Sequence, residues 1–194
     1  GDATSSTAAE LTTINGATSL AVNASAITAL ASDNISNINT LLTAGNDTAQ
    51  FTSASFGSLT GVTVSDTTLN GATLASAVDQ ANSATGDTSV VFTITAADEI
   101  QGTEANFTAL LADEGNSQIS ITDQNLNVNS GTVSVANANL LSGTTSGTVT
   151  ASITTTEDVD TLKTLTETHA YTIVIAAGDA TSSTAAELTT INGA

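Results

Sequence analysis

The sequence predicts a mainly β fold with short helices, drawn out as an elongated parallel β-solenoid-like stack. Three observations lead there. The first is an internal repeat: Gly1–Ala17 reads GDATSSTAAELTTINGA, and Gly178–Ala194 repeats it letter for letter, 177 residues later. Self-similarity at a fixed period marks architectures built by stacking one unit on the next. The second is the kind of apolar residue. Hydrophobic residues make up 40% of the chain, but aromatics only 3%, with no Trp and no Met. A regular stack can be filled by small and β-branched side chains repeated on every rung. The third is rhythm, since Val-, Ile- and Thr-rich runs with period-two alternation take turns with short amphipathic segments. An array of compact β-rich domains, one per period, is the competing architecture.

Residues 1–177 then form one tandem period, and 178–194 begin the next. The run Tyr171–Ala177 leads into Gly178 as an earlier copy would lead into Gly1, so the chain reads as an excerpt from a longer array. On this reading Gly1–Ala17 and Gly178–Ala194 share one conformation.

Along the chain, strands are predicted at Leu20–Ile27, Ala49–Ala54, Val62–Asp66, Val90–Thr95, Gln118–Thr122, Thr132–Ala136, Thr148–Ile153 and Tyr171–Ala176. Helices are predicted from their caps. Thr7 with Glu10 makes a capping-box pattern before Leu11 and Ile14, and Asn15-Gly16 offers a stop. Ser32-Asp33 precedes Ile35, Ile38, Leu41 and Leu42, with Gly45 after. A weaker helical segment runs Leu74–Ala81. Thr103 precedes Phe107, Leu110 and Leu111, with Gly115 as the stop. Leu140-Leu141 supports one turn at most, and Thr155 with Asp158 opens a segment carrying Val159, Leu162 and Leu165. Such short helices need something to pack on. These segments set about six degenerate coils per period, each of about thirty residues. Pro is absent, which suits continuous backbone ladders.

The motif Thr7–Ser19, with Glu10-Leu-Thr-Thr-Ile-Asn-Gly-Ala-Thr18 at its centre, resembles the degenerate repeats of very large surface proteins of cyanobacteria and other aquatic bacteria. Asp158–Leu165 and Asn34–Leu41 match more loosely. The resemblance implies a secreted, repetitive, adhesin-like or filament-like role. It supplies no functional residues.

Charge narrows the function classes. Nineteen acidic residues face one Lys, Lys163, and no Arg, for a net charge of −18. Such a polyanion repels nucleic acid and anionic membranes and gathers cations. No apolar run is long enough to span a bilayer. No Cys is present, so no thiol chemistry or disulfide framework exists. Nucleophile elbow, Walker loop and dinucleotide glycine patterns are all missing, and a polysaccharide lyase would need clustered basic residues. No catalytic residue and no required cofactor are therefore predicted.

His169, the single His, falls in Glu167-Thr-His-Ala170 and reads as structural. Lys163 reads as a local ion-pair partner of Asp160 and Glu167. Phe51, Phe56, Phe92, Phe107 and Tyr171 read as core. Calcium is the one candidate ion. It takes several oxygen ligands, and Asp47, Asp87, Asp98 and Asp113, with Glu99 and Glu114, fall near strand starts or bends. Neither EF-hand spacing nor the glycine-rich calcium nonapeptide is present. The function expected is a structural segment of a secreted acidic fibre, sheath or stalk at a bacterial surface. Its partners would be neighbouring repeats, head to tail, with lateral self-association, and with no nucleic acid or membrane insertion. A calcium-assisted adhesin repeat is the alternative.

Overall fold

The computed structural model describes residues 5–86, 88–179 and 182–193. Its elements are α1 (Ala8–Gly16), β1 (Ala29–Asp33), α2 (Ile35–Gly45), β2 (Gly61–Val64), β3 (Thr68–Asn70), α3 (Gly71–Thr85), β4 (Val91–Ile94), β5 (Glu99–Thr103), α4 (Glu104–Gly115), β6 (Asn125–Ser130), α5 (Val135–Thr144), β7 (Val149–Ser152), α6 (Val159–Leu162), β8 (Ala170–Thr172) and α7 (Ala185–Asn192). Two compact units form. One comprises Gly1–Ala97 with Thr108–Ser120, the other Asp98–Phe107 with Ile121–Ala194.

In the first unit β1, β2 and β4 pair in parallel, in chain order. Register places Leu30, Val62 and Phe92 in one row, and all three are buried. Parallel neighbours need a crossover between them, and helices supply it. α2 buries Ile35, Ile38, Leu41 and Leu42 along one stripe. α3 answers with Leu74, Ala75, Ala77, Val78 and Ala81, and the two helices pack together. The alanines keep the face of α3 low, so the helices can approach. The Phe56 ring lies against Gly45, where an added Cβ would stand 2.6 Å from Phe56 Cδ2. Phe56 itself sits at φ 63°, a conformation costing about 1 kcal/mol in an L-residue. Full burial of its ring beside Phe51, with centroids 5.2 Å apart, offsets that cost.

In the second unit β5, β6, β7 and β8 pair in parallel, again in chain order. Ile100, Leu126 and Val149 share a row and are fully buried. One position along, Gln101, Asn127 and Thr150 carry the polar side of the alternation.

The predicted β-solenoid-like stack of about six coils is not what forms. The protein is a small α/β structure with two parallel sheets, of three and five strands; helix accounts for 38% and strand for 20%, and no solenoid is seen. Mainly β domains are excluded by the same proportions. The error has a physical source. Three period-two runs, Leu20–Ile27, Ala49–Ala54 and Thr132–Ala136, supply only the single bridging residues Val22, Phe51 and Val133. Gln118–Thr122 buries Ile119 and Ile121 without forming a strand. Meanwhile segments with little apolar rhythm wind into helix. α3 has 15 residues and α5 has 10, where a weak segment and one turn were predicted. Alanine is the strongest helix former, and Asn70 and Ser134 cap these helices through their side chains.

Candidate functional site

Among the described residues, six of the chain's nineteen acids bond helix N-termini, and three of them reach a helix from far along the chain. Asp33 Oδ2 accepts the Ala9 N–H of α1 at 2.8 Å, 24 residues away. Asp66 Oδ2 accepts the Ile35 N–H of α2 at 2.7 Å, 31 residues away. In the second unit Glu157 Oε1 accepts the Val135 N–H of α5 at 3.2 Å, 22 residues away. A helix N-terminus leaves four N–H groups without intrahelical partners and carries positive potential, so a carboxylate there is doubly favoured. In each case the acid comes from a later segment of the chain. The device fastens α1, α2 and α5 to the stretch that follows each of them.

The helix of the repeated segment and its cap fold alike at both places. α1 starts from Thr7 (φ −82°, ψ 161°) with a complete capping box to Glu10. α7 starts from Thr184 (φ −87°, ψ 158°) with the same box to Glu187. Thr7 hydrogen bonds hold the Glu10 carboxyl below its ordinary range. At α7 a cation joins in. Lys163 Nζ lies 2.6 Å from Asp160 Oδ1 and 3.0 Å from Glu187 Oε1. Backbone bonding from Thr184 first, and Lys163 second, take the Glu187 carboxyl down to about 2. Lys163 thus keeps its predicted Asp160 partner but pairs with Glu187 rather than Glu167.

Two hollows flank α7. One, of about 360 Å³, is lined by His169, Tyr171, Ile173, Ile175, Leu188, Ile191 and Asn192. The other includes Asp158, Asp160, Asp179 and Glu187 in its wall. Three of these four carboxylates are already engaged. Asp158 caps the Thr161 N–H, Asp160 holds Lys163, and Glu187 bonds Thr184 and Lys163.

His169 is buried, with its side chain 5% exposed. Nδ1 accepts the Val149 N–H at 3.2 Å, and Nε2 lies 3.0 Å from Ser142 Oγ. The backbone contact leaves Nδ1 without a proton, so Nε2 carries it and donates to Ser142. A general base for Ser142 would need a free lone pair on Nε2, so this pair does not activate the hydroxyl. Its work is to tie β7 to α5. Tyr171 meets the imidazole edge-on at 5.6 Å. Burial first, and Glu167 second, push the Tyr171 hydroxyl up to about 12. Ser142 had no signal in the sequence, because its partner lies 27 residues away.

The calcium candidates are not gathered. Asp47 is a turn residue whose carboxylate accepts from the Ala49 N–H and from Gln50 Nε2, each at 2.9 Å. Those bonds, Gln50 first, hold it below the ordinary value. Asp87 lies outside the described residues. Asp98 is exposed before β5, where its carbonyl accepts the Asn125 N–H. Asp113 sits half-buried on α4, and burial first, then Asp79, lifts its carboxyl to about 6. Among the described residues, no three His, Cys, Asp or Glu side chains come together as a metal site. Of the five predicted core aromatics, the four Phe are fully buried and Tyr171 is half-buried.

No protein family matches the chain, nor does any curated protein or any solved structure. Among the described residues no helix is long and apolar enough to cross a membrane.

Proposed function

We propose that the chain is a structural segment of a tandem-repeat protein, built to join copy to copy in an acidic fibre, sheath or stalk at a bacterial surface. The observation that carries this reading is the repeated segment. Seventeen residues recur without a change, and both copies fold into the same boxed helix, each against different neighbours. An identical segment used in two settings suits a joint. The acids support the reading from another side, since Asp33, Asp66 and Glu157 fasten helices to later segments rather than converging on a ligand. The remaining negative charge would keep neighbouring fibres apart in water. The resemblance of Glu10–Thr18 to surface-protein repeats points to the same setting.

Antibodies against the folded period test this on intact cells. Labelling of surface filaments is the expected result. Recovery of the antigen only from the interior of lysed cells would remove the surface role.

A further inference from the structure

The two copies of the repeated helix are dressed differently along one face, where residues three apart are neighbours. Leu11 and Leu188 are the same residue in the repeat, yet Leu11 is 7% exposed and Leu188 43%. Ile14 and Ile191 are likewise equivalent, and here the order reverses, with Ile14 53% exposed and Ile191 7%. The polar contacts divide the same way. α1 is held by later residues: Asp33 on the Ala9 N–H, Gln50 on Asn15 Nδ2 at 3.1 Å, and the Ser6 carbonyl accepting the Ala31 N–H at 2.9 Å. It packs on β1 and α2. α7 is held by earlier residues: Lys163 on Glu187, and Thr168 Oγ1 donating to the Gly193 carbonyl at 3.0 Å. It packs on α6. Among the described residues no carboxylate meets the Ala186 N–H, the equivalent of Ala9.

The capping box and the bonds within the helix are common to both copies; the contacts to other segments described above are not shared. Laid on one helix, the two half-sets use different groups: Leu11 and Asn15 meet later residues, while Glu187, Ile191 and the Gly193 carbonyl meet earlier ones, and Leu188 and Asn192 line the hollow that the later residues would fill. We propose that α1 and α7 are the two half-dressed forms of one junction helix, and that the open face of α7 docks the stretch from β1 through α2 to Gln50 of a following copy of this same period. The occupant is specified by what the face lacks. It must bring a carboxylate to the Ala186 N–H, an amide to Asn192 and apolar cover to Leu188, and the segment packed on α1 brings all of these to the identical sequence. In a separate molecule that segment is already covered by its own α1, so the following copy is one continuous in chain. The proposal rests on the joint reading above and names what the joint holds.

The absence of Cys allows single-thiol reporters. In the 194-residue chain, Leu188→Cys and Ile14→Cys should react quickly with a soluble thiol reagent, and Leu11→Cys and Ile191→Cys slowly. A two-period chain, residues 1–177 followed by 1–194, carries the junction helix once between periods. There Leu188→Cys and Ile191→Cys should both be slow, with Leu188→Cys at least about tenfold below its one-period rate. Fast labelling of Leu188→Cys at the junction overturns the proposal, because the next period then does not dock. Fast labelling of Ile191→Cys overturns it too, because the next period then pulls the helix off its first neighbours. Amide exchange in the Cys-free two-period chain provides a reading free of substitution. The junction Ala186 N–H should be protected there and unprotected in the one-period chain; equal exchange in both refutes the docking. A protein found inside cells with a protected junction would lose the surface role and keep the joint. Surface filaments with an open junction would do the reverse.

Discussion

Replacing Asp33 with Ala removes the acceptor of four donors at once. Its carboxylate accepts from the Ala9 N–H, the Asn34 N–H and Asn37 Nδ2, each at 2.8 Å, and from Asn34 Nδ2 at 3.4 Å. Losing a capping side chain costs about 1 kcal/mol, and bonds to a charged acceptor add to it where the donors are partly sheltered. Asp33 is half-buried, so a total of about 2 kcal/mol is expected for Asp33→Ala. Asp33→Asn keeps a carbonyl acceptor and should lose about half as much. The Ala9 bond is the share that holds α1, about 1 kcal/mol, so amide exchange there should quicken by a factor of about five, the rest of the loss falling on α2. α7 provides a control inside the same molecule. It has the sequence of α1 but no contact with Asp33, and its exchange should not change. Equal change in α1 and α7, or none in α1, would refute the idea that a later acid fastens this helix.

Other expectations follow from individual positions. An added Cβ at Gly147 would stand 2.4 Å from the Gln124 carbonyl oxygen and 2.9 Å from the Asn125 nitrogen, both main-chain atoms. Gly147→Ala should therefore cost about 3 kcal/mol, while Gly143→Ala, in open space on α5, should add about 0.5 kcal/mol; urea melts that show equal effects would contradict the contact. Asp113 holds its proton up to about 6, above the ordinary 3.8. The stability it contributes is complete below 3.8 and lost as pH rises through 6. Half-exposure reduces the effect, so Asp113→Asn should be more stable than the parent by about 1 kcal/mol at neutral pH and equal to it in acid. A difference that does not vary with pH would exclude this. His169→Phe leaves the buried Val149 N–H without its acceptor and should destabilise the second unit by about 2 kcal/mol in a thermal melt. A neutral result would mean that the imidazole contact holds nothing.

The sequence carried the local devices well. Both capping boxes lie within four residues, and the side chains that make them, Thr7 with Glu10 and Thr184 with Glu187, stand where the pattern places them. The Val- and Ile-rich strands β2, β4 and β7 were legible for the same reason. Strands whose pairing comes from distant chain were not. β6 reads NLNVNS, and Asn is poorly suited to strands. It forms because Leu126 and Val128 are buried between parallel neighbours and Asn125 Oδ1 takes the Thr148 N–H. α5 was hidden because its apolar residues, Val135, Ala138 and Leu141, are few and partly small. The acid caps had no local trace at all, since each partner lies 22 to 31 residues away.

The direction of those caps fixes an order in time. A ribosome releases the chain from its N-terminus, at about 5–20 residues per second. α1, α2 and α5 each take their acid from residues made 24, 31 and 22 positions later. In each helix one first-turn N–H, that of Ala9, Ile35 or Val135, therefore stays open to water for roughly one to six seconds, until its carboxylate arrives. Assembly proceeds like a row of latches, each closed by the piece that comes after it. Of the helices latched this way, the one made last is the one still waiting.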